Sequence, residues 1–239
     1  PDEARRFSAS VVANDPIIRP YIIGRDITGR REERYVIDAF GKSELELRDQ
    51  YPALYQVLLN NVKPERDQNH RASYRQKWWI YAEPRQDLRR SAVGLTRFIA
   101  TCRTAKHRIF CFEPILTLPD AKVIFVGLED GIHLGILTSK IHQCWAFRTG
   151  GWLGVGNDSN YNHSDCFGKF PFPADVPEPL KARIRAEAEA LDALRKQVLA
   201  AHDDLTLTGL YNALEALKAG RALTDKEREI CAAMGPELK

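Results

Sequence analysis

Arg97-Phe98-Ile99-Ala100-Thr101-Cys102-Arg103-Thr104-Ala105-Lys106-His107-Arg108-Ile109-Phe110-Cys111-Phe112 is the stretch that decides the fold. Phe98-Ile99-Ala100 and Ile109-Phe110-Cys111-Phe112 are short apolar runs of the kind that fill strands, and Val123-Ile124-Phe125-Val126 repeats the pattern beyond polar and proline-marked turns. Between the first two runs, Arg103, Lys106, His107 and Arg108 crowd a short connection, with Arg97 just ahead of it. Strands can hold such a connection so that its donor tips enter a DNA major groove, where Arg or Lys against guanine is the commonest specific contact.

Upstream, Ile17-Ile18 and Tyr21-Ile22-Ile23 end at Gly24, and Tyr35-Val36-Ile37 stops before Gly41, a pattern of short strands and turns. From Ser43 to Val62 the period becomes helical, through Leu45, Leu54, Val57, Leu58 and Val62. Pro52 breaks that run and places the start of the firm helix, while Ser43 with Glu46 fits a capping box on a first turn. A further helix is expected from Pro64 to Tyr81, with Pro64 in its first turn. On it Lys63, Arg66, Arg71, Arg75 and Lys77 form a basic row that can follow phosphates, and the run ends at Trp78-Trp79. The two indoles can stack bases, although adjacent Trp at a helix end more often belong to a core.

Downstream, residues 132–147 read two ways, as a strand at first or as a helix with Leu137, Ile141, Cys144 and Trp145 on one face. Residues 150–158 form a flexible glycine-rich loop. After Phe170-Pro171-Phe172-Pro173 the composition changes, and Leu180, Ile184, Leu191, Leu194 and Val198 mark a long amphipathic helix. Leu210, Leu214 and Leu217 mark a second helix, and Thr224-Asp225-Lys226-Glu227 opens a third with a capping box. The expected fold is α+β. A mixed sheet with flanking helices fills residues 1–175, followed by a small C-terminal helical segment over residues 176–239.

Composition limits the function. The 239 residues, 44% hydrophobic and 28% charged, suit one large globular domain or a domain with an appendage, and exclude a disordered chain. No apolar run approaches the roughly 18–20 residues that cross a bilayer, so no membrane partner is expected. The first residues, Pro1 to Arg6, are charged and lack a signal core, and Met234 is the single Met, so a piece of a longer protein is expected. Cys102, Cys111, Cys144, Cys166 and Cys231 are odd in number and never spaced as C-x-x-C, which argues against a disulfide framework and a paired-Cys zinc site and fits the cytoplasm.

The net charge is only +3, but residues 63–108 hold 12 Lys and Arg against four Asp and Glu. Such a concentration fits a polyanion partner, or equally a solvated basic face. There is no phosphate-binding G-x-x-x-x-G-K-[ST], no G-x-S-x-G and no H-E-x-x-H, and Gly154-Val155-Gly156 lacks the third glycine of a nucleotide cradle. His133, His142 and Cys144 lack metal-site spacing, and Cys166, beside His163 and Asp165, has no evident catalytic partner. No catalytic residue and no metal ligand is therefore assigned. The rival to nucleic acid is a protein-interaction module that uses the basic stretch and the amphipathic tail.

Several strings together resemble the MmeI-like type IIL (type IIG) restriction–modification enzymes. They are Val62-Lys63-Pro64-Glu65-Arg66-Asp67, Trp78-Trp79 and Pro84-Arg85; Thr101 with Lys106-His107-Arg108-Ile109-Phe110; and Leu134 through Lys140 with His142 and Trp145. Cys166-Phe167-Gly168-Lys169-Phe170-Pro171-Phe172-Pro173 is similar to the family's closing motif, with Gly168 where an acidic residue is expected. The resemblance runs over residues 17–175, and the helical tail has a counterpart.

The resemblance implies a target recognition domain for double-stranded DNA. Its partner would be a catalytic domain of the same parent chain that moves a methyl group from S-adenosylmethionine to the exocyclic amine of adenine. That domain's cofactor motif and Asn-Pro-Pro-Tyr loop are absent here, Asn14-Asp15-Pro16 being a different string, and so is an endonuclease segment. No cofactor is expected on this chain, and the resemblance leaves two readings of the parent enzyme, one that only modifies and one that also cuts. Base reading is assigned to Arg97, Arg103, Lys106, His107 and Arg108, and to a second segment, Arg148, Thr149 and Trp152, in the polar, glycine-hinged loop after the Trp145 helix. A plain surface turn is the other reading of that second segment. Lys63, Arg66, Arg71, Arg75 and Lys77 are assigned to phosphates.

Overall fold

The computed structural model describes residues 2, 17–153 and 158–233. Along the chain come β1 (Ile18–Ile22), α1 (Gly24–Thr28), β2 (Tyr35–Ile37), α2 (Glu44–Gln50), α3 (Pro52–Asn61), α4 (Lys63–Asp67), α5 (Ala72–Gln76) and α6 (Gln86–Ser91). Then follow β3 (Arg97–Cys102), β4 (Thr104–Ala105), β5 (Phe110–Pro114), β6 (Leu118–Pro119), β7 (Val123–Val126), α7 (Gly131–Thr138) and α8 (Lys140–Thr149). β8 (Gly151–Leu153), β9 (Asp158–Asn160), a π-helical turn (His163–Phe167), α9 (Glu178–Ala201), α10 (Leu207–Lys218) and α11 (Asp225–Ala233) complete the order. The fold is α+β, with three small sheets ordered β2-β1-β6, β5-β3-β7 and β4-β9-β8.

The chain clusters into two compact units. The first holds residues 1–21, 33–93 and 116–118; the second holds residues 22–32, 94–115 and 119–239, so the C-terminal helices fall in the same unit as the β5-β3-β7 sheet.

In the first unit, Ile17, Ala39, Leu47, Leu54, Leu58 and Trp78 make the core. The Ser43 capping box forms, with Ser43 Oγ accepting from Glu46 N–H at 3.2 Å and Glu46 Oε2 accepting from Ser43 N–H at 2.7 Å. Pro52 does open its helix. The single helix expected over 64–81 is instead α4 and α5 with an irregular joint. Asn69 Oδ1 accepts from Arg71 N–H at 3.0 Å, Arg71 is extended, and the Arg75 guanidinium donates to the Asn69 and His70 carbonyls. Asn is well suited to this competition with the helix ladder.

In the second unit, β3 pairs antiparallel with β5 and β7, placing Ile99 opposite Phe112 and Val126. Strand alternation sends Ile99, Phe110 and Phe112 to one face, against Leu134, Leu137, Ala146 and Ala188, and Phe98, Ala100 and Cys111 to the other, against Ile27. Burial of both faces explains why these strands read as unbroken apolar runs. Residues 132–147 resolve as the two helices α7 and α8, capped by Asp130 and Ser139. The close approach of α7 to α9 needs Gly135, where a Cβ would lie 2.6 Å from Ile184 Cγ2. The second expected capping box is also present, Glu227 N–H donating to Thr224 Oγ1 and Thr224 N–H to Glu227 Oε2.

The expected glycine-rich loop is partly a strand, since residues 151–153 form β8 and Asp158 opens β9. Gly154-Val155-Gly156, Asn14-Asp15-Pro16, the charged start at residues 1 and 3–6, and Met234 lie outside the described residues. No helix among the described residues is long and apolar enough to cross a membrane.

Candidate nucleic-acid interface

β3 belongs to the β5-β3-β7 sheet, and one residue later the chain enters β4 of the β4-β9-β8 sheet. That one residue is Arg103. Its N–H donates to the Lys122 carbonyl at 2.7 Å and its carbonyl accepts from Tyr161 N–H at 2.6 Å, so its backbone is held from both sides. Its side chain is exposed and has no partner among the described residues.

The small sheet joins segments far apart in sequence. Thr104 lies opposite Asn160, which lies opposite Gly151, and the next row is Ala105, Ser159, Trp152. Arg103 on one flank and the residues after α8 on the other are thus two strands apart. Gly150 is required where α8 ends, because a Cβ there would fall 2.5 Å from the Asn160 carbonyl and 2.7 Å from the Ala146 carbonyl. Arg148 is exposed and has no side-chain partner among the described residues. Thr149 Oγ donates to the Trp145 carbonyl at 2.9 Å. The half-exposed Trp152 ring stacks on Phe147 with centroids 5.8 Å apart and 28° between planes.

The other four base-reading candidates face inward or are engaged. Arg97 lies 3.6 Å over the Phe112 ring, donates through both Nη atoms to Glu189 (Nη1 at 2.9 Å), and through Nε to the Glu129 carbonyl. The Glu189 bond raises its pKa further above that of a free guanidinium, against burial. Lys106 Nζ donates to Asn212 Oδ1 at 2.5 Å, and His107 Nε2 shares the same oxygen at 2.9 Å. His107 is buried. Arg108 is 3% exposed, and both its Nη atoms are engaged by backbone and hydroxyl oxygens inside the protein.

The basic row lies in the first unit. Lys63 pairs with Asp67 at 2.6 Å and sits over the Trp78 ring. Arg66 and Arg71 lie on the Tyr74 ring, at 5.4 and 5.2 Å, and Arg75 holds the Asn69 carbonyl. The Lys77 ammonium has no partner among the described residues. Trp78 is core, packed on Tyr55, and the partly buried Trp79 donates through Nε1 to the Lys42 carbonyl.

Three residues were not legible in the sequence. Lys122 is exposed and bonded through its carbonyl to Arg103, but nothing marks it apart from its turn. Asn160 lies on the middle strand of the small sheet, and its Oδ1 is buried with no partner among the described residues. Asn212 holds Lys106 and His107 from a helix more than 100 residues away.

His142 is buried. Its Nδ1–H donates to the Leu137 carbonyl at 2.8 Å, its Nε2 accepts from Tyr161 OH at 3.2 Å, and burial pulls its pKa down. Cys166 is a core residue. No group of three or more His, Cys, Asp or Glu among the described residues could hold a metal ion.

The geometry defines an α+β protein in which one small sheet joins two distant segments that carry exposed cations, Arg103 just before β4 and Arg148 near the end of α8. Among solved structures, the chain is similar to the Type IIL restriction-modification enzyme MmeI in complex with DNA, with a TM-score of 0.61 and 18% identity over 99% of this chain. At that identity the likeness is one of fold. The chain spans 31% of the length of the MmeI chain. No protein-family model matches it, and no curated protein does.

Proposed function

We propose that the chain is the target recognition region of an S-adenosylmethionine-dependent adenine-N6 DNA methyltransferase of a restriction–modification system. Residues 1–175 would grip double-stranded DNA and the helical segment 176–239 would brace them. The catalytic domain and its cofactor would belong to another part of the parent chain, which would flip the target adenine into its own pocket. The observation that carries this is the β4-β9-β8 sheet, which joins the two segments picked out for base contact, with Arg103 before β4 and Arg148 on α8 both exposed and without a side-chain partner among the described residues. The fold shared with a DNA-bound restriction–modification enzyme supports the same reading.

The test is selection of binding sites from a random duplex pool, followed by affinity measurement over a range of salt. Arg103→Ala and Arg148→Ala should each relax one base position by roughly 1–3 kcal/mol. Lys77→Ala should weaken all duplexes alike and reduce the salt slope by about 0.9. A wild-type protein that enriches no sequence, while binding an acidic protein surface, would establish the interaction module instead.

A further inference from the structure

A guanidinium taken out of water is costly unless oxygens meet its donors; in Arg108 the Nη donors are met, and only the buried Nε has no partner among the described residues. Arg108 has no carboxylate partner among the described residues. Nη1 donates to the Cys102 carbonyl, and at 3.3 Å to Thr101 Oγ1, both at the end of β3. Nη2 donates to the carbonyl and Oγ of Ser159 on β9, both at 2.8 Å. Ser159 Oγ in turn donates to the Ala105 carbonyl of β4 at 3.0 Å. The guanidinium lies 5.1 Å from the Tyr161 ring centroid, and Tyr161 is tied to His142. One planar fork thus spans the joint between the β5-β3-β7 sheet and the β4-β9-β8 sheet, at the point where Arg103 leaves the first and enters the second. A lysine ammonium, a single point on a flexible stem, cannot match both sides of that joint.

We infer that Arg108 is a positioning residue that fixes the β4-β9-β8 sheet on the core and so sets the placement of Arg103 and Trp152 toward DNA. This rests on the DNA-recognition reading above.

The experiment uses the intact protein in four forms: wild type, Arg108→Met, Arg108→Lys and Ser159→Ala. Two readouts are taken: amide hydrogen exchange, and discrimination between the duplex selected by wild type and its single-base mismatches. The expected result for both Arg108 variants is exchange about tenfold faster at residues 104–105 and 158–160 with residues 98–101 unchanged. Discrimination should fall by roughly tenfold at an unaltered salt slope. Ser159→Ala, which keeps the cation and removes only the hydroxyl bridge, should move both readouts the same way by less, and it carries the test if the Arg108 variants fail to fold. Unchanged exchange overturns the inference. Faster exchange with full discrimination, or an equal loss on all duplexes, also overturns it. If wild type selects no duplex, the DNA reading falls and this inference with it, while exchange alone still reports whether Arg108 ties the sheets.

Discussion

Arg103 and Arg108 differ by five positions, and from the sequence both are cations in one connection. Their surroundings separate them, because Arg103 sits where the backbone is pinned and the side chain is free, whereas Arg108 points back under the sheet. Gly150 is a second position where atoms decide. Gly150→Ala would force a Cβ against two carbonyls, which should cost about 1–3 kcal/mol in urea unfolding. A cost within error of zero would mean that the end of α8 can shift without loss. Asp38 is the third. Burial alone would push its carboxyl up, but hydrogen bonds and charge from Arg89, and then from Arg19, outweigh that and hold it below the ordinary range. Both bonds are short, 2.8 Å to Arg89 and 3.0 Å to Arg19. A depressed folded pKa means stabilisation present above the unfolded value, about 4, and lost as pH falls through the folded one. The stability gap between wild type and Asp38→Asn should therefore be open near neutral pH and close below about pH 4. A gap that is constant from neutral to acid would contradict the ion triad.

At the scale of elements, the tail helices do more than follow the sheet. β5 is an edge strand, and α9 covers its outer side with side chains. Asp192 accepts from Phe112 N–H at 3.2 Å, Arg195 donates to the Phe110 carbonyl at 3.0 Å, and Lys196 donates to the Phe112 carbonyl at 2.7 Å. An edge so covered no longer presents open backbone groups to another chain. α10 reaches the basic connection through Asn212. Asn212→Ala should leave the buried His107 nitrogen unmet and destabilise by about 1–3 kcal/mol, read by chemical denaturation. Equal stability of variant and wild type would show that the shared oxygen is dispensable. The helices themselves were legible in the sequence wherever caps and periodicity agreed, as at Ser43, Pro52 and Thr224. The expected helix over 64–81 failed at Asn69, because a local side-chain bond competes with the ladder and leaves the apolar period intact.

For the whole molecule, the same contacts bear on where it can be divided. Ending the chain near residue 176 would strip β5 of its cover and remove Ala188 from the main core cluster of the second unit. Such a truncated protein is expected to lose cooperative thermal unfolding and to aggregate on size exclusion. A soluble monomer with a sharp transition would instead make residues 176–239 a separate appendage. The phosphate row and the base-reading segments belong to different units of the chain. Charge removal in the row should act on affinity and salt slope, and changes at Arg103 or Arg148 on base preference.

Local chemistry was enough to mark the α+β class, the three core strands, the capped helices and the basic stretch, since alternation, helical period and capping pairs are short-range patterns. Which cations are available to a partner was decided only by the tertiary structure. Glu189, Asn212 and Ser159 are distant in sequence from Arg97, Lys106 and Arg108, yet each supplies the oxygen that engages one of them. A free charge and a charge held inside the protein look identical in a sequence; the difference lies in whether folding brings an acceptor within about 3 Å.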